Sequence, residues 1–88
     1  MLLKGHERNI THIVFNHDND LVFTAAKDKS PKVWYTHNGE LLGSFEGHTG
    51  AVVHLDVNRT SKYLLTASGD KTARLWNAVR QKAVFAQL

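Results

Sequence analysis

The second half of the chain carries three side chains that together could support hydrolysis. Thr66 offers a hydroxyl, His48 an imidazole and Asp70 a carboxylate, the groups that a nucleophile, its base and an orienting acid require. Trp76 follows six residues after Asp70. The same four groups also suit a buried hydrogen-bond chain, because an indole N–H only donates and a carboxylate only accepts. Two interpretations are therefore open, a catalytic triad and a structural network.

The chain repeats itself at a constant offset of 42 residues. Residues 5–35 align with residues 47–77 without a gap, and nine of the 31 aligned pairs are identical. Internal similarity at such a period indicates a repeat architecture. The identical pairs that bear on chemistry are His6/His48, Thr24/Thr66, Asp28/Asp70 and Trp34/Trp76.

Each repeat is predicted to fold as short β-strands separated by turns. Runs rich in β-branched and aromatic residues alternate with segments such as NHDND and NRTSK, whose composition is typical of turns. The Asn-Gly pair within HNGE, residues 37–40, is a hairpin signal, and no segment has helical periodicity. The predicted strands are Ile10–Phe15, Leu21–Ala26, Lys32–Tyr35 and Leu41–Phe45 in the first repeat, and Val52–Val57, Tyr63–Ser68 and Arg74–Asn77 in the second.

A repeat of about 40–45 residues, with Gly-His near its start and Trp near the end of its third strand, resembles a WD40 blade. The resemblance implies an all-β fold, a WD40 β-propeller fragment of two four-stranded antiparallel blades from a ring of about seven. Tyr35 and Asn77 stand where the signature Asp would follow Trp. It also implies a buried hydrogen-bond network in each blade, which here comprises His6, Thr24, Asp28 and Trp34, then His48, Thr66, Asp70 and Trp76.

Two copies of the same set favour the structural interpretation over the catalytic one. An enzyme needs one exposed and activated nucleophile, whereas a scaffold can use the same network in every repeat. We therefore expect no catalytic residue and no cofactor. A zinc site built from histidines is not expected either, because no suitable pair has helical spacing and the chain has no cysteine. The histidines considered are His6, His12, His48 and His54.

Composition predicts a soluble chain without a membrane segment. The 88 residues carry a formal net charge of +3, and no apolar run approaches the roughly 18 residues that span a bilayer. The first residues lack the apolar core of a signal peptide, so we expect a cytoplasmic location. Lysines and arginines are scattered singly, which argues against direct RNA contact by this segment. Loops that line one face of a propeller are a usual partner surface, and here they contain Glu7, Arg8, Lys27 and Thr49.

Several segments are more specific than a generic blade. Residues 2–11 read LLKGHERNIT, AKD stands at the end of the second predicted strand, NGELLG follows VWY after two residues, and the second repeat opens with GHTGAV. Residues 2–78 thereby closely resemble the start of the subunit i family of eukaryotic translation initiation factor three. The tail AVRQKAVFAQL is less similar, because it lacks the expected Thr-Gly turn.

This resemblance implies a non-catalytic scaffold in the cytosolic initiation complex. Such a scaffold supports assembly of the 43S and 48S pre-initiation complexes on the small ribosomal subunit, and mRNA recruitment. Its partners would be subunits b and g of the factor together with that ribosomal subunit. The alternative is a WD40 adaptor in kinase or receptor signalling, because a fold does not fix its partners.

The expected organisation is a strand over residues 1–4 that closes a last blade, one WD repeat over residues 5–46 and a second over residues 47–88. Because two blades cannot close a ring, we expect later blades in a longer protein. Unpaired sheet edges favour association between chains. The 88 residues alone are therefore expected to aggregate or to fold poorly.

Overall fold

Turn-forming segments divide the chain into short strands that pair with their sequence neighbours. A computed structural model describes residues 10–27 and 29–78, and the backbone of residues 82–87. The strands of sheet one are β1 (Ile10–Phe15), β2 (Leu21–Ala26), β3 (Lys32–Tyr35) and β4 (Leu41–Ser44). The strands of sheet two are β5 (Val52–Val57), β6 (Tyr63–Ser68), β7 (Ala73–Asn77) and β8 (Lys82–Gln87). Both sheets are antiparallel and follow sequence order, so the fold is all-β with two four-stranded blades.

The predicted strand bounds are confirmed for β1, β2, β3, β5 and β6. Strand β4 ends one residue earlier than predicted, and β7 begins one residue earlier because Ala73 pairs with Ala67. Strand β8 had no sequence signal of its own beyond the four-strand pattern of a blade. Within the described ranges, no helix is long and apolar enough to cross a membrane.

The two repeats share their backbone irregularities as well as their residues. The pairing of β1 with β2 shifts register between Ile10 and His12, and β5 with β6 shifts at the equivalent Val52 and His54. Left-handed backbone also recurs 42 residues apart, at φ 59° and 63° in one turn and at 80° and 72° in another. These four positions are Asn19 and Ser61, then Lys29 and Lys71.

The Asn-Gly segment lies in the predicted turn, and the connection is longer than a two-residue hairpin loop. Five residues, 36–40, connect β3 to β4. The Tyr35 N–H donates to the Glu40 carbonyl, and the Gly39 N–H donates to the Tyr35 carbonyl, each at 2.9 Å. A type I′ turn needs positive φ at both central residues, whereas here Gly39 has φ 71° and Asn38 does not have a positive φ. The Asn38 side chain instead accepts the Glu40 N–H at 2.8 Å.

The core lies between the two sheets. Phe45, just after β4, has its ring 6.3 Å from that of Phe23 on β2 and 5.5 Å from that of Trp76 on β7. Burial of such large apolar groups supplies the main favourable free energy of folding. The cluster comprises Phe23, Ala25, Val33, Phe45, Val52, Leu55, Leu64, Trp76 and Ala78.

Candidate functional site

Sheet two and its loops bring four of the predicted site residues into one hydrogen-bonded network. Thr66 lies on β6 and Trp76 on β7, while His48 precedes β5 and Asp70 lies in the turn after β6. Trp76 pairs with Leu64, and its indole N–H reaches along β6 to donate to Thr66 Oγ1 at 2.9 Å. The antiparallel pairing of β6 with β7 therefore sets the Trp–Thr contact.

His48 connects the strand hydroxyl to the turn carboxylate. Its Nε2 atom lies 2.5 Å from Thr66 Oγ1, and its Nδ1 atom lies 3.0 Å from Asp70 Oδ2. Because the carboxylate only accepts, Nδ1 carries the hydrogen and Nε2 accepts from the Thr66 hydroxyl. Each donor then points the same way, from Trp76 through Thr66 and His48 to Asp70. The network thus satisfies a series of polar groups that burial would otherwise leave unpaired.

Asp70 is the acceptor at the end of this network. Besides His48, its carboxylate accepts from the backbone N–H of Thr49 at 2.9 Å and from both the N–H and the hydroxyl of Thr72. The Thr72 hydroxyl, followed by the Thr49 N–H and the His48 ring, holds the pKa of Asp70 well below its usual range, although burial opposes this. Hydrogen bonds to the charged form are the cause. Asp70 therefore stays ionised and fixes the loop before β5 to the turn after β6.

Sheet one shows the equivalent contact between its Trp and Thr residues. The Trp34 indole N–H donates to Thr24 Oγ1 at 2.8 Å, which repeats the Trp76–Thr66 geometry 42 residues earlier. The other two predicted members, His6 and Asp28, lie outside the described residues, as do the loop candidates Glu7 and Arg8.

Sequence reasoning missed the hydroxyl residues that complete the turn. Ser68 Oγ donates to the Gly50 carbonyl at 2.9 Å and accepts the Asp70 N–H at 3.1 Å. Thr72 has its counterpart in Ser30, two residues after Asp28. An Asp followed two residues later by a hydroxyl residue in both repeats is the signal that could have identified Thr72.

A matched pair of asparagines was also missed, although both were aligned in the repeat. Asn58 Oδ1 accepts the N–H groups of Lys62 and Tyr63, each at 2.9 Å. Asn16 Oδ1 makes the same contacts with Asp20 and Leu21, each at 3.1 Å. Asn side chains commonly close turns in this way.

Thr66, His48 and Asp70 are hydrogen-bonded in the order found in a hydrolase triad. Unlike a catalytic nucleophile, however, the Thr66 hydroxyl is not accessible to a substrate. Thr66 is 0% exposed and its oxygen already accepts from Trp76. A nucleophile must reach its substrate, so this hydroxyl is closed to attack in the folded state. Among residues 10–27 and 29–78, no three His, Asp or Glu side chains gather as a metal site would require.

The surface candidates lie at the same end as the network. Lys27 and Thr49 are both exposed, and Thr49 contacts Asp70 through its backbone only. An open groove of about 400 Å³ lies at the opposite end of β1 and β5. Its lining is mixed in polarity, with Val14, Phe15, His17, Asp56, Val57, Asn58 and Arg59 around it.

Comparison with known proteins gives a consistent set of matches. The "WD domain, G-beta repeat" family model matches residues 1–35 and 39–77. Eukaryotic translation initiation factor 3 subunit I of Schizosaccharomyces pombe is 56% identical over 46 residues, which is 52% of this chain and 14% of that protein. The Caenorhabditis elegans subunit is 59% identical over 44 residues, which is 50% of this chain and 14% of that one. The alignments therefore span about one seventh of the length of these curated relatives.

The three-dimensional comparison supports the same architecture. The solved "Structure of U3-55K" superposes on 96% of this chain and 28% of its own, with a TM-score of 0.90 and 28% identity. The family match covers most of the chain, and two four-stranded antiparallel blades repeat the same Trp–Thr contact. This chain belongs to the WD40 (WD domain, G-beta repeat) family.

Proposed function

We propose that this chain is part of a non-catalytic WD40 scaffold subunit of translation initiation factor 3. The observation that carries the proposal is the level of identity with subunit I, 56% over half of the chain. U3-55K shares nearly the whole blade geometry at 28% identity. Because a protein with the same blade architecture is only 28% identical, the 56% identity with subunit I supports a closer functional relationship.

The buried network supports a structural role rather than catalysis. The Thr66 oxygen contacts both Trp76 and His48 and is closed to solvent. Loss of one member leaves its neighbours buried and unpaired, which costs more than one ordinary hydrogen bond. The network fits a brace that holds the loop at Thr49 in place. A scaffold requires such fixed loops, whereas turnover would require an open hydroxyl.

The proposed role is to support pre-initiation complex assembly on the small ribosomal subunit in the cytoplasm. The partners would be other subunits of the factor, subunits b and g among them, with no metal or cofactor required. The exposed loops near the network are the proposed contact surface, represented by Lys27 and Thr49 among the described residues.

Affinity purification of the endogenous protein from cytosol, followed by mass spectrometry, tests this function. We expect factor 3 subunits and small-subunit ribosomal proteins among the recovered partners. Kinases or receptors in their place would move the function to a signalling adaptor. Recovery of neither group would contradict both assignments.

A charge reversal locates the contact surface in the same experiment. Lys27→Glu changes an exposed loop side chain, and the control Lys62→Glu makes the same charge change in the turn at the opposite end of the sheets. We expect Lys27→Glu to lower recovery of factor 3 subunits severalfold while Lys62→Glu leaves it unchanged. Equal recovery with both variants would exclude Lys27 from the contact surface.

A further inference from the structure

The connections at the network end of the two sheets carry exposed lysines. These connections are residues 27–31 between β2 and β3, 45–51 between β4 and β5, and 69–72 between β6 and β7. Lys27, Lys29 and Lys71 are exposed there, and we call these three side chains the basic surface. Because the blades of a propeller pack through the sides of their sheets, a surface at the ends of the strands stays accessible in a longer protein.

Two lysines of the basic surface occupy turn positions that favour a different type of residue. Lys29 and Lys71 lie 42 residues apart in the repeat, and both have left-handed backbone, with φ of 80° and 72°. Glycine adopts this conformation without the steric cost that a Cβ atom brings, and asparagine adopts it more readily than lysine does. The geometry of the turn therefore does not explain a lysine in both repeats, whereas a requirement for positive charge explains it.

The charges of the basic surface are not neutralised by neighbouring carboxylates. Within residues 10–27 and 29–78, the ion pair that forms joins His48 to Asp70, and the three lysines take part in none. The Asp70 carboxylate accepts hydrogen bonds from the network and its turn. Glu46 is the other carboxylate among the described residues of these connections. The three lysines therefore remain available to an anionic partner.

Arg74 adds a fourth positive charge beside the loop that precedes β5. A Cβ atom on Gly47 would lie 2.8 Å from Arg74 Nη1, so the guanidinium lies against this loop. Its Nε atom is buried and has no hydrogen-bond partner among the described residues. A guanidinium stays charged, and a partly buried charge is screened less by salt than an exposed one. Arg74 therefore strengthens the positive potential at the network end.

The opposite end of the sheets has a different balance of charge. Its connections are residues 16–20, 36–40 and 58–62. They contain three carboxylates and two permanent cations, which are Asp18, Asp20, Glu40, Arg59 and Lys62. In the described connections, positive charge is therefore in excess at the network end alone.

We infer that the basic surface binds an acidic segment of a partner protein, an inference that rests on the scaffold role proposed above. Complementary charge orients a partner and speeds its association. Single-stranded RNA is bound by aromatic side chains on which its bases stack, together with positive charge. Phe45, the aromatic residue of these connections, is 0% exposed and packs between the sheets. The surface therefore fits a polypeptide rich in Asp and Glu better than it fits RNA.

Binding of charged probes to the purified full-length protein tests the inference. The probes are a labelled peptide of alternating Glu and Gly, an uncharged peptide of alternating Gln and Gly, and a single-stranded RNA with the net charge of the Glu peptide. Fluorescence anisotropy should show salt-dependent binding of the Glu peptide and weaker binding of the other two probes. Tighter binding of the RNA would overturn the choice of a polypeptide, and equal binding of both peptides would overturn the role of charge.

A double substitution by glycine removes two charges without straining the turns. Lys29→Gly combined with Lys71→Gly places glycine where the backbone favours it, so the melting temperature should stay close to that of wild type. The dissociation constant for the Glu peptide should rise severalfold. The control pair, Arg59→Gln with Lys62→Gln, removes the same charge from the opposite end and should leave binding nearly unchanged. Equal losses with both pairs would reveal an effect of net charge only and would overturn the assignment of the surface.

Recovery of partners from cells that express each full-length variant separates this inference from the proposed function. Factor 3 subunits that are recovered with wild type and lost with the glycine pair would support both. Equal recovery with the two chains would leave the scaffold role in place and overturn the acidic partner. Absence of factor 3 subunits with wild type would contradict the scaffold role, and the peptide measurements would then decide the basic surface on their own.

Discussion

Trp76 donates its indole N–H to Thr66 Oγ1 at 2.9 Å, and the two residues lie on the neighbouring strands β7 and β6. The same contact joins Trp34 to Thr24 at 2.8 Å. Because the indole has a single donor, each Trp is satisfied by one hydroxyl. The Thr66 hydroxyl in turn donates a hydrogen bond to Nε2 of His48, in the loop that precedes β5.

Trp76→Phe should lower the free energy of unfolding by about 1–3 kcal/mol. The change removes the donor to Thr66 and shortens a ring that packs in the core. Urea denaturation followed by circular dichroism, at one fixed protein concentration, measures the loss. Tyr35→Phe is the control, since it removes a hydroxyl from a half-buried aromatic residue and should leave the midpoint nearly unchanged. Equal midpoints for Trp76→Phe and wild type would contradict the role of the contact.

Asp70→Asn should reduce stability at neutral pH and flatten its dependence on acid. The pKa of Asp70 lies below its usual range in the folded chain because Thr72, Thr49 and His48 donate to the carboxylate. The unfolded chain therefore binds the proton more readily. As a result, the free energy of unfolding rises with pH between the folded and the unfolded pKa of Asp70. The contribution is complete above the ordinary Asp pKa of about 4 and is lost as the pH falls below it.

Urea midpoints measured from pH 7 down to pH 2 check this prediction. Wild type should lose more stability than Asp70→Asn over the interval below pH 4. Asp56→Asn is a suitable reference, because Asp56 is an exposed aspartate outside the network. Parallel curves for wild type and Asp70→Asn would be inconsistent with an ionised, hydrogen-bonded Asp70.

Gly50→Ala should destabilise the fold while Gly69→Ala should not. A Cβ atom on Gly50 would lie 2.6 Å from the backbone N of Asp70, an atom that cannot move without the turn. A Cβ atom on Gly69 would come no closer than 3.6 Å to the Ala51 carbonyl oxygen, an ordinary contact. Overpacking of this kind costs about 1–3 kcal/mol. Thermal melts of the two variants give the comparison, and similar melting temperatures would show that the loop has room to shift.

Asn16→Ala should cost more stability than Asn58→Ala. Both lose two backbone hydrogen bonds in a turn, worth about 1–2 kcal/mol together. Asn16 is buried, and its amide also donates to Asp20 at 2.6 Å and to Ser61 of the other sheet at 3.1 Å. Chemical denaturation of both variants tests the order. The reverse order would mean that the contact with Ser61 contributes nothing.

The strand pattern was predictable because the repeat supplied each boundary twice. Leu21–Ala26 and Tyr63–Ser68, for example, are each bounded by turn-forming segments, and both have the predicted bounds. The register shifts near His12 and His54 were not predictable, because an extra residue in a strand leaves the composition unchanged. Nor was the contact between those two rings, whose centroids lie 4.4 Å apart. That contact depends on how the sheets pack.

The four residues of the network could be predicted from the sequence, whereas the contacts and burial around them could not. The four residues of sheet two were found because their types recur at one offset, and the structure brings all four together. Thr72 was missed because a hydroxyl in a polar turn looks like a solvated residue until its partner is placed. Burial, which closes Thr66 to substrate, is a property of packing and has no local sequence signal.

Phe45, just after β4, contacts both sheets. Its backbone N–H donates to the Pro31 carbonyl at 2.8 Å, next to β3, while its ring packs edge-on against Trp76 of the other sheet. Neither sheet can open without uncovering this ring, and repeat proteins unfold together when the contact between neighbours is strong relative to each unit alone. Within a longer propeller whose further blades cover the outer faces, the two repeats should therefore unfold together rather than one after the other.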